Sequence, residues 1–253
     1  MTKTPKIRAD DLVVAQNLAP SRSQAQALIL AARIVDAAGR PILKAGQPLA
    51  QDTILQLTGG RRFVSRAGFK LEGALEELGV EPYGLNCLDL GASTGGFTDC
   101  LLQNGAASVT AVDVGRGLID LSLRNDHRVR LVENQNARYL STLPPGSLGE
   151  PFDLAVADLS FISLSLILPQ VTPLVKLGGQ ILAMVKPQFE VGRRQVGKGG
   201  IVRDEALVKE AVDRISSLGP NLNPSVKETG RAVSKLRGRS GNLEVFLLFT
   251  RDN

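Results

Sequence analysis

One histidine, two cysteines and 4% aromatic side chains set the first limits on this 253-residue chain. A disulfide framework or a cysteine zinc site needs more cysteines than Cys87 and Cys100. Both lie in apolar stretches and read as small buried residues. His127 stands alone in the polar run Asp126-His127-Arg128. Triads and metal sites built on several histidines are therefore excluded, and no metal is expected. Acid–base chemistry must come from Lys, Asp, Glu, Tyr or the substrate. Apolar runs stay short of the ~18 residues of a membrane span. The opening MTKTPKIRADD lacks the apolar stretch of a secretory signal. The expectation is a soluble cytoplasmic protein without stable membrane association.

What is present is a core and an uneven charge. Hydrophobic residues make up 43%, and the net charge is +5. Residues 1–62 carry nine Lys or Arg against four Asp, and the rest of the chain is balanced at 21 and 21. Either a small polyanion-binding module precedes a neutral domain, or the basic segment is charged for solubility.

The basic segment reads as helix, turn, helix, then short strands. Apolar residues from Ala9 to Leu18 fall at helical spacing, Pro20 interrupts, and Ser21 caps a second helix through SRSQAQALILAA. Short apolar pieces punctuated by glycine follow. The strings Arg8-Ala9-Asp10, Ser21-Arg22-Ser23-Gln24-Ala25 and Arg33-Ile34-Val35 with Gly39 resemble the S4 RNA-binding domain. That family usually has glycine where this chain has Ala31-Ala32. The resemblance implies that Arg8, Arg22, Arg33 and Lys44 meet structured RNA. The expected division is an S4-like unit over 1–57, a linker over 58–62 and a second domain over 63–253.

Helical periodicity resumes at Ser65, with Phe69, Leu71, Leu75 and Leu78 near one face. From Asn86 onward strand-like and helix-like stretches alternate, which predicts a mostly parallel sheet covered by helices on both faces. LSLILPQVTPLV reads as a helix within this series. Asp89-Leu90-Gly91-Ala92-Ser93-Thr94-Gly95-Gly96-Phe97 falls where a strand ends and a helix begins. Small residues there let the backbone approach a ligand beyond the strand ends. Asp113 ends the next strand, 22 residues after Gly91, where a carboxylate can accept ribose hydroxyls. The glycine spacing departs from the G-x-G-x-x-G of dinucleotide folds. The loop resembles the first motif of class I methyltransferases, which implies S-adenosylmethionine as cofactor. Asp89, Gly91, Ala92, Ser93, Gly95, Gly96, Phe97 and Asp113 are the candidate contacts, with Asp158 near the methyl group. Asn136 either hydrogen-bonds the adenine or caps a turn.

Four charges stand in apolar or helical surroundings: Lys70, Asp158, Lys186 and Glu244. Charge at the end of a buried strand is costly unless paired or used, so these are either two structural ion pairs or a site. Their order and placement resemble the tetrad of FtsJ-like ribose 2′-O-methyltransferases. With VSRAGFKL, GASTGGFTDCLLQNGA, ADLSFIS and VKPQFE, the whole chain resembles the haemolysin A (TlyA) family of ribosomal RNA 2′-O-methyltransferases. Ala67 stands where that family usually has glycine. The resemblance implies a Rossmann-like class I α/β domain with a seven-stranded sheet and ribosomal RNA or ribosomal subunits as partners. It further implies 2′-O-methylation of a cytidine ribose. An ordinary lysine, with pKa near ~10.4, is neutral about once in a thousand near pH 7.4, a deficit of ~4 kcal/mol. A base role for Lys186 therefore needs help from its surroundings, such as the neighbouring cation of Lys70.

Two basic stretches flank these residues. Arg193, Arg194 and Lys198 lie in a glycine-rich run expected to be a mobile loop over substrate. Arg231, Lys235, Arg237 and Arg239 precede Glu244, and Arg66 opens the helix that carries Lys70. These are RNA-phosphate candidates or merely solvated loops. Two other readings stay open at this point: a non-catalytic RNA-binding or ribosome-assembly factor, and a membrane-active haemolysin.

Overall fold

The computed structural model describes residues 5–58, 62–149, 151–238 and 240–252. Among the described residues eleven strands run in chain order as β1 (Lys6–Arg8), β2 (Ile34–Asp36), β3 (Pro48–Ala50), β4 (Leu55–Leu57), β5 (Asn86–Leu90), β6 (Ser108–Val112), β7 (Val129–Val132), β8 (Phe152–Ala157), β9 (Val175–Val185), β10 (Val226–Val233) and β11 (Val245–Arg251). The helices are α1 (Ala9–Ala15), α2 (Arg22–Leu30), α3 (Arg66–Leu78), α4 (Gly96–Gln103), α5 (Leu121–Arg124), α6 (Leu168–Val171), α7 (Pro187–Glu190) and α8 (Glu205–Ser216).

The N-terminal unit packs α1 against α2 beside two antiparallel strand pairs, β1 with β3 and β2 with β4. Its core is its own: Ala9, Leu12, Val13, Ala25, Ile29, Ile34, Ile42 and Leu55 are buried together. Ser21 caps α2 by accepting a hydrogen bond from Gln24 N at 3.3 Å. After α2 the chain turns at Ala32, whose φ is +50°. The left-handed turn is kept without glycine, at a steric cost of about 1–2 kcal/mol.

The second unit is a seven-stranded sheet in the order β10-β11-β9-β8-β5-β6-β7. All neighbours from β9 to β7 pair in parallel, and β11 runs antiparallel to both β9 and β10. The chain winds outward in both directions from β5, which pairs with β6 on one side and β8 on the other. That is the switch point at which open α/β sheets leave a ligand crevice beyond the strand ends. Two apolar clusters cover the two faces of the sheet. One is built on α3 and α4 and includes Phe63, Leu71, Phe97, Leu101 and Phe246. The other includes Phe152, Leu168, Ile181, Val212, Ile215 and Phe249. Burying each such side chain contributes about 1.5–3 kcal/mol. Cys87 and Cys100 are fully buried apolar residues.

Two expectations are corrected. The LSLILPQVTPLV stretch is not one helix. It is 3-10 turn, α6 and 3-10 turn in succession, because Pro169 and Pro173 each start a new piece. Arg231 is not in a loop before Glu244. It sits in edge strand β10, tied to Glu228 and Asp213. Among the described residues no helix is long and apolar enough to cross a membrane. Arg239 and residues 59–61 of the expected linker lie outside the described residues.

Candidate functional site

The loop after β5 is shaped by backbone that ordinary side chains avoid. Gly91 has φ +83°, Ser93 +50° and Gly95 +93°. Gly91 and Ala92 both donate to the carbonyl of Val112 at 2.9 and 3.2 Å, which closes the loop over the end of β6. Gly95 is the N-cap of α4. A side chain on Gly96 would run into Ser65 and Ala67, so α3 and α4 meet at their first turns. Ser65 caps α3 by accepting from Ala67 N at 3.3 Å, and Lys70 stands one turn further on.

Asp89 is fully buried, and Thr98, also fully buried, donates to its Oδ2 at 2.6 Å. Its Oδ1 is buried and has no hydrogen-bond partner. Burial pushes the Asp89 carboxyl up to about 7, with the negative charges of Asp158 and Asp113 adding to the rise. Asp113 accepts from Ser93 N at 2.7 Å and from Gly115 N at 2.7 Å, so it braces the glycine loop. Asn136 caps the turn that follows it, with its Oδ1 accepting from Arg138 N at 2.9 Å. The Phe97 side chain points away from the glycine loop. The first turn of α4 aims it into the core, 2% exposed and 6.1 Å from the Phe246 ring.

Lys70, Asp158, Lys186 and Glu244 form two ion pairs. Lys70 Nζ lies 2.6 Å from Glu244 Oε2, and Lys186 Nζ lies 2.5 Å from Asp158 Oδ1. The sheet explains why they share one edge. Asp158 and Lys186 directly follow the parallel strands β8 and β9. Glu244 precedes β11, which is antiparallel, so its start lies at the ends of its neighbours. Val185 pairs with Val245, and one further step of that register sets Lys186 opposite Glu244. The loop at Gly91 reaches the same edge, since Asp158 N donates to Leu90 O at 3.0 Å.

Neighbours that the sequence did not single out complete the edge. Ser160 Oγ accepts a hydrogen bond from Lys186 Nζ at 2.9 Å. Glu190, 6% exposed, accepts from Ser163 Oγ at 2.6 Å and Leu164 N at 2.8 Å, with Arg214 beside it. Burial raises the Glu190 carboxyl above the usual range. Phe161 is 89% exposed with φ +66°, and its ring centroid is 5.1 Å from that of Phe189.

The chain matches known proteins. The FtsJ-like methyltransferase family model covers residues 63–251. The chain belongs to the FtsJ-like methyltransferase family. Within it the chain falls in the TlyA, or hemolysin A, branch. It is 44% identical over 245 residues to the 16S/23S rRNA (cytidine-2′-O)-methyltransferase TlyA of Mycobacterium tuberculosis, covering 96% of this chain and 89% of that one. Hemolysin A of Brachyspira hyodysenteriae is 36% identical, covering 96% and 99%. A solved structure from Streptococcus thermophilus that carries the hemolysin name matches with TM-score 0.75 and 38% identity, covering 99% of this chain and 90% of that chain.

An FtsJ-like methyltransferase uses S-adenosylmethionine, and the loop suits that cofactor. A side chain at Gly91 would fill the approach, since a Cβ there lies 2.7 Å from Asp158 O. The orphaned Asp89 Oδ1 leaves a buried acceptor for a ligand donor or a bridging water.

The basic candidates are spread more widely. Arg8 and Arg22 both pair with Asp10, which is fully buried, and keep side chains 47% and 52% exposed. Lys44 is exposed. Arg33 is half-buried, with Nε unpartnered. Arg66 lines a cleft of about 570 Å³ between the two units with Leu43, Phe69 and Lys235. Arg193, Arg194, Lys198 and Arg237 are exposed. The C-terminal part of the glycine-rich run is hydrogen-bonded to its surroundings. Gly197 pairs with Ile201, and the buried Asn242 accepts from Val202 N at 2.9 Å and donates to Gly200 O at 2.7 Å.

Proposed function

We propose that this protein transfers a methyl group from S-adenosylmethionine to a ribose 2′-hydroxyl of ribosomal RNA. Supporting this is the placing of two lysines and two carboxylates on one sheet edge against the glycine loop. The curated relatives named as rRNA (cytidine-2′-O)-methyltransferases supply the acceptor class, cytidine ribose. When bound, S-adenosylmethionine supplies a methyl carbon made electrophilic by its sulfonium. The ribose oxygen bonds to that carbon while the carbon–sulfur bond breaks, and its electron pair stays on sulfur.

In this reading Lys186 is the general base and takes the 2′-hydroxyl proton onto Nζ. Asp158 holds that amine 2.5 Å away. Lys70 holds the ribose and lends its positive charge to the site, and Glu244 anchors Lys70 at 2.6 Å. Asp89, Gly91, Ala92, Ser93, Gly95, Gly96, Phe97, Asp113, Asn136 and Asp158 shape the cofactor's seat. Residues 1–57 act as an S4-like unit that docks on RNA, joined through 58–62 to the methyltransferase domain of 63–253. Arg8, Arg22, Arg33 and Lys44 in the first, with Arg66, Arg193, Arg194, Lys198 and Arg237 in the second, meet phosphates. The place of action is the cytoplasm, where ribosomal RNA is.

The test is mass-spectrometric mapping of ribose methylation on ribosomal subunits incubated with enzyme and labelled S-adenosylmethionine. Added 2′-O-methylcytidine, absent with Lys186→Ala, is expected. Tight RNA binding with no label transferred would instead support the non-catalytic reading.

A further inference from the structure

Lys186 has two close partners. Asp158 Oδ1 lies 2.5 Å from the amine as its ion-pair partner. Ser160 Oγ accepts a hydrogen bond from Lys186 Nζ at 2.9 Å.

We propose that Ser160 is a positioning residue that aims the Lys186 amine at the ribose hydroxyl. This rests on reading Lys186 as the general base. A neutral amine has two hydrogens and one lone pair. Rotation about Cε–Nζ carries the lone pair round a cone, and two acceptors, one for each N–H, stop that rotation. With one hydrogen held on Ser160, the other towards Asp158 and the side chain 10% exposed, the lone pair has a fixed heading. Rate then gains from orientation and not from binding.

The hydroxyl is built into place. Ser160 lies on the connector after β8, which is pinned at both ends. Asp158 N is bound to Leu90 O at 3.0 Å. At the other end Ser163 and Leu164 are held by Glu190, four residues after Lys186 itself. Between the anchors Phe161 takes a left-handed φ of +66°, a conformation that persists only where its surroundings impose it. Glu190 thus locks the segment bearing Ser160 to the segment bearing Lys186.

The experiment compares Ser160→Ala and Ser160→Thr with wild type and Lys186→Ala. It measures single-turnover methyl transfer against pH at saturating RNA and cofactor, with cofactor affinity by calorimetry. Ser160→Ala is expected to lower the plateau rate about tenfold, roughly the effect of removing one orienting hydrogen bond. Its cofactor affinity should stay within about twofold of wild type. Its acid limb should move to lower pH, because the ammonium form loses an acceptor. Ser160→Thr, which keeps the hydroxyl, should recover most of the rate. A wild-type rate and an unmoved limb in Ser160→Ala would overturn the proposal. So would a slow Ser160→Ala with an unmoved limb and no rescue by threonine, which marks a merely structural part. Near-normal transfer by Lys186→Ala would overturn the base reading itself, and this proposal with it.

Discussion

A β-carbon on Gly91 would stand 2.7 Å from the carbonyl oxygen of Asp158. The cofactor loop and the strand end that carries an acid of the candidate tetrad are therefore in backbone contact. Neither can shift without the other. Gly91→Ala combines that clash with a φ of +83°, which costs an L-residue about 1–2 kcal/mol before any contact is counted. The expected outcome is a melting temperature lower by about 3–6 °C and cofactor binding weakened by about tenfold or more. Differential scanning calorimetry and titration calorimetry measure the two. Unchanged cofactor affinity would show that the ligand does not depend on this contact.

Lys70 and Glu244 make a buried pair, 12% and 4% exposed at their side chains. Removing one partner strands the other's charge out of water, which costs about 3–5 kcal/mol. Lys70→Met should lose stability in that range. Adding Glu244→Gln should restore most of it, while neither protein transfers methyl groups. Urea unfolding and a filter-binding methyl-transfer assay separate the two effects. A single variant as stable as wild type would mean that Glu244 is solvated or neutral.

Asp89 predicts a pH dependence of stability. Burial holds its carboxyl up to about 7 in the folded protein, while the unfolded chain titrates near ~3.9. Between those values the folded state keeps a proton that the unfolded state has released. Stability from this group is thus present at low pH and declines as pH rises toward 7, by on the order of a few kcal/mol. Asp89→Asn, which stays neutral, removes that component. Urea midpoints at pH 5 and pH 8, compared as wild type minus variant, read it directly. Equal slopes in both proteins would place the Asp89 carboxyl in the ordinary range.

The sheet, its parallel centre and the glycine loop are legible in the sequence because each is local. Alternation fixes strands, and small residues at a strand end mark a turn. Strand β10 is not legible, because Val226–Val233 is an exposed edge with a register shift between Glu228 and Gly230, so its apolar alternation is weak. Phe97 sits beside the loop in sequence, but the helix turns it inward. Ser160 and Glu190 lie in the strings ADLSFIS and VKPQFE that carry the family resemblance, but their partners are not legible, since these lie 26 and 27 residues away and only the fold joins them. Sequence marks which charges are costly, while the fold decides what each one touches.

The N-terminal arginines give the last prediction. Asp10 is fully buried and accepts from Arg8 Nε and Nη2 at 2.9 and 2.8 Å, from Arg22 Nε at 3.0 Å and from Gln26 at 2.8 Å. These partners hold its carboxyl well below the usual range. One aspartate thus orients two guanidinium groups, and Asp11, 3.9 Å from Arg8 and 3.4 Å from Arg22, balances the second charge, leaving a two-armed fork with both arms half exposed at the surface. Either arginine alone still pairs with Asp10, so Arg8→Ala and Arg22→Ala should each fold. Each should weaken binding to ribosomal RNA and flatten the dependence of log K on log salt by about 0.7–0.9 for each phosphate no longer neutralised. At saturating RNA the transfer rate should be unchanged, because the fork acts in docking and not in chemistry. Fluorescence anisotropy across a salt series, paired with single-turnover rates, tests both parts. A variant that keeps the wild-type salt slope would remove its arginine from the RNA surface.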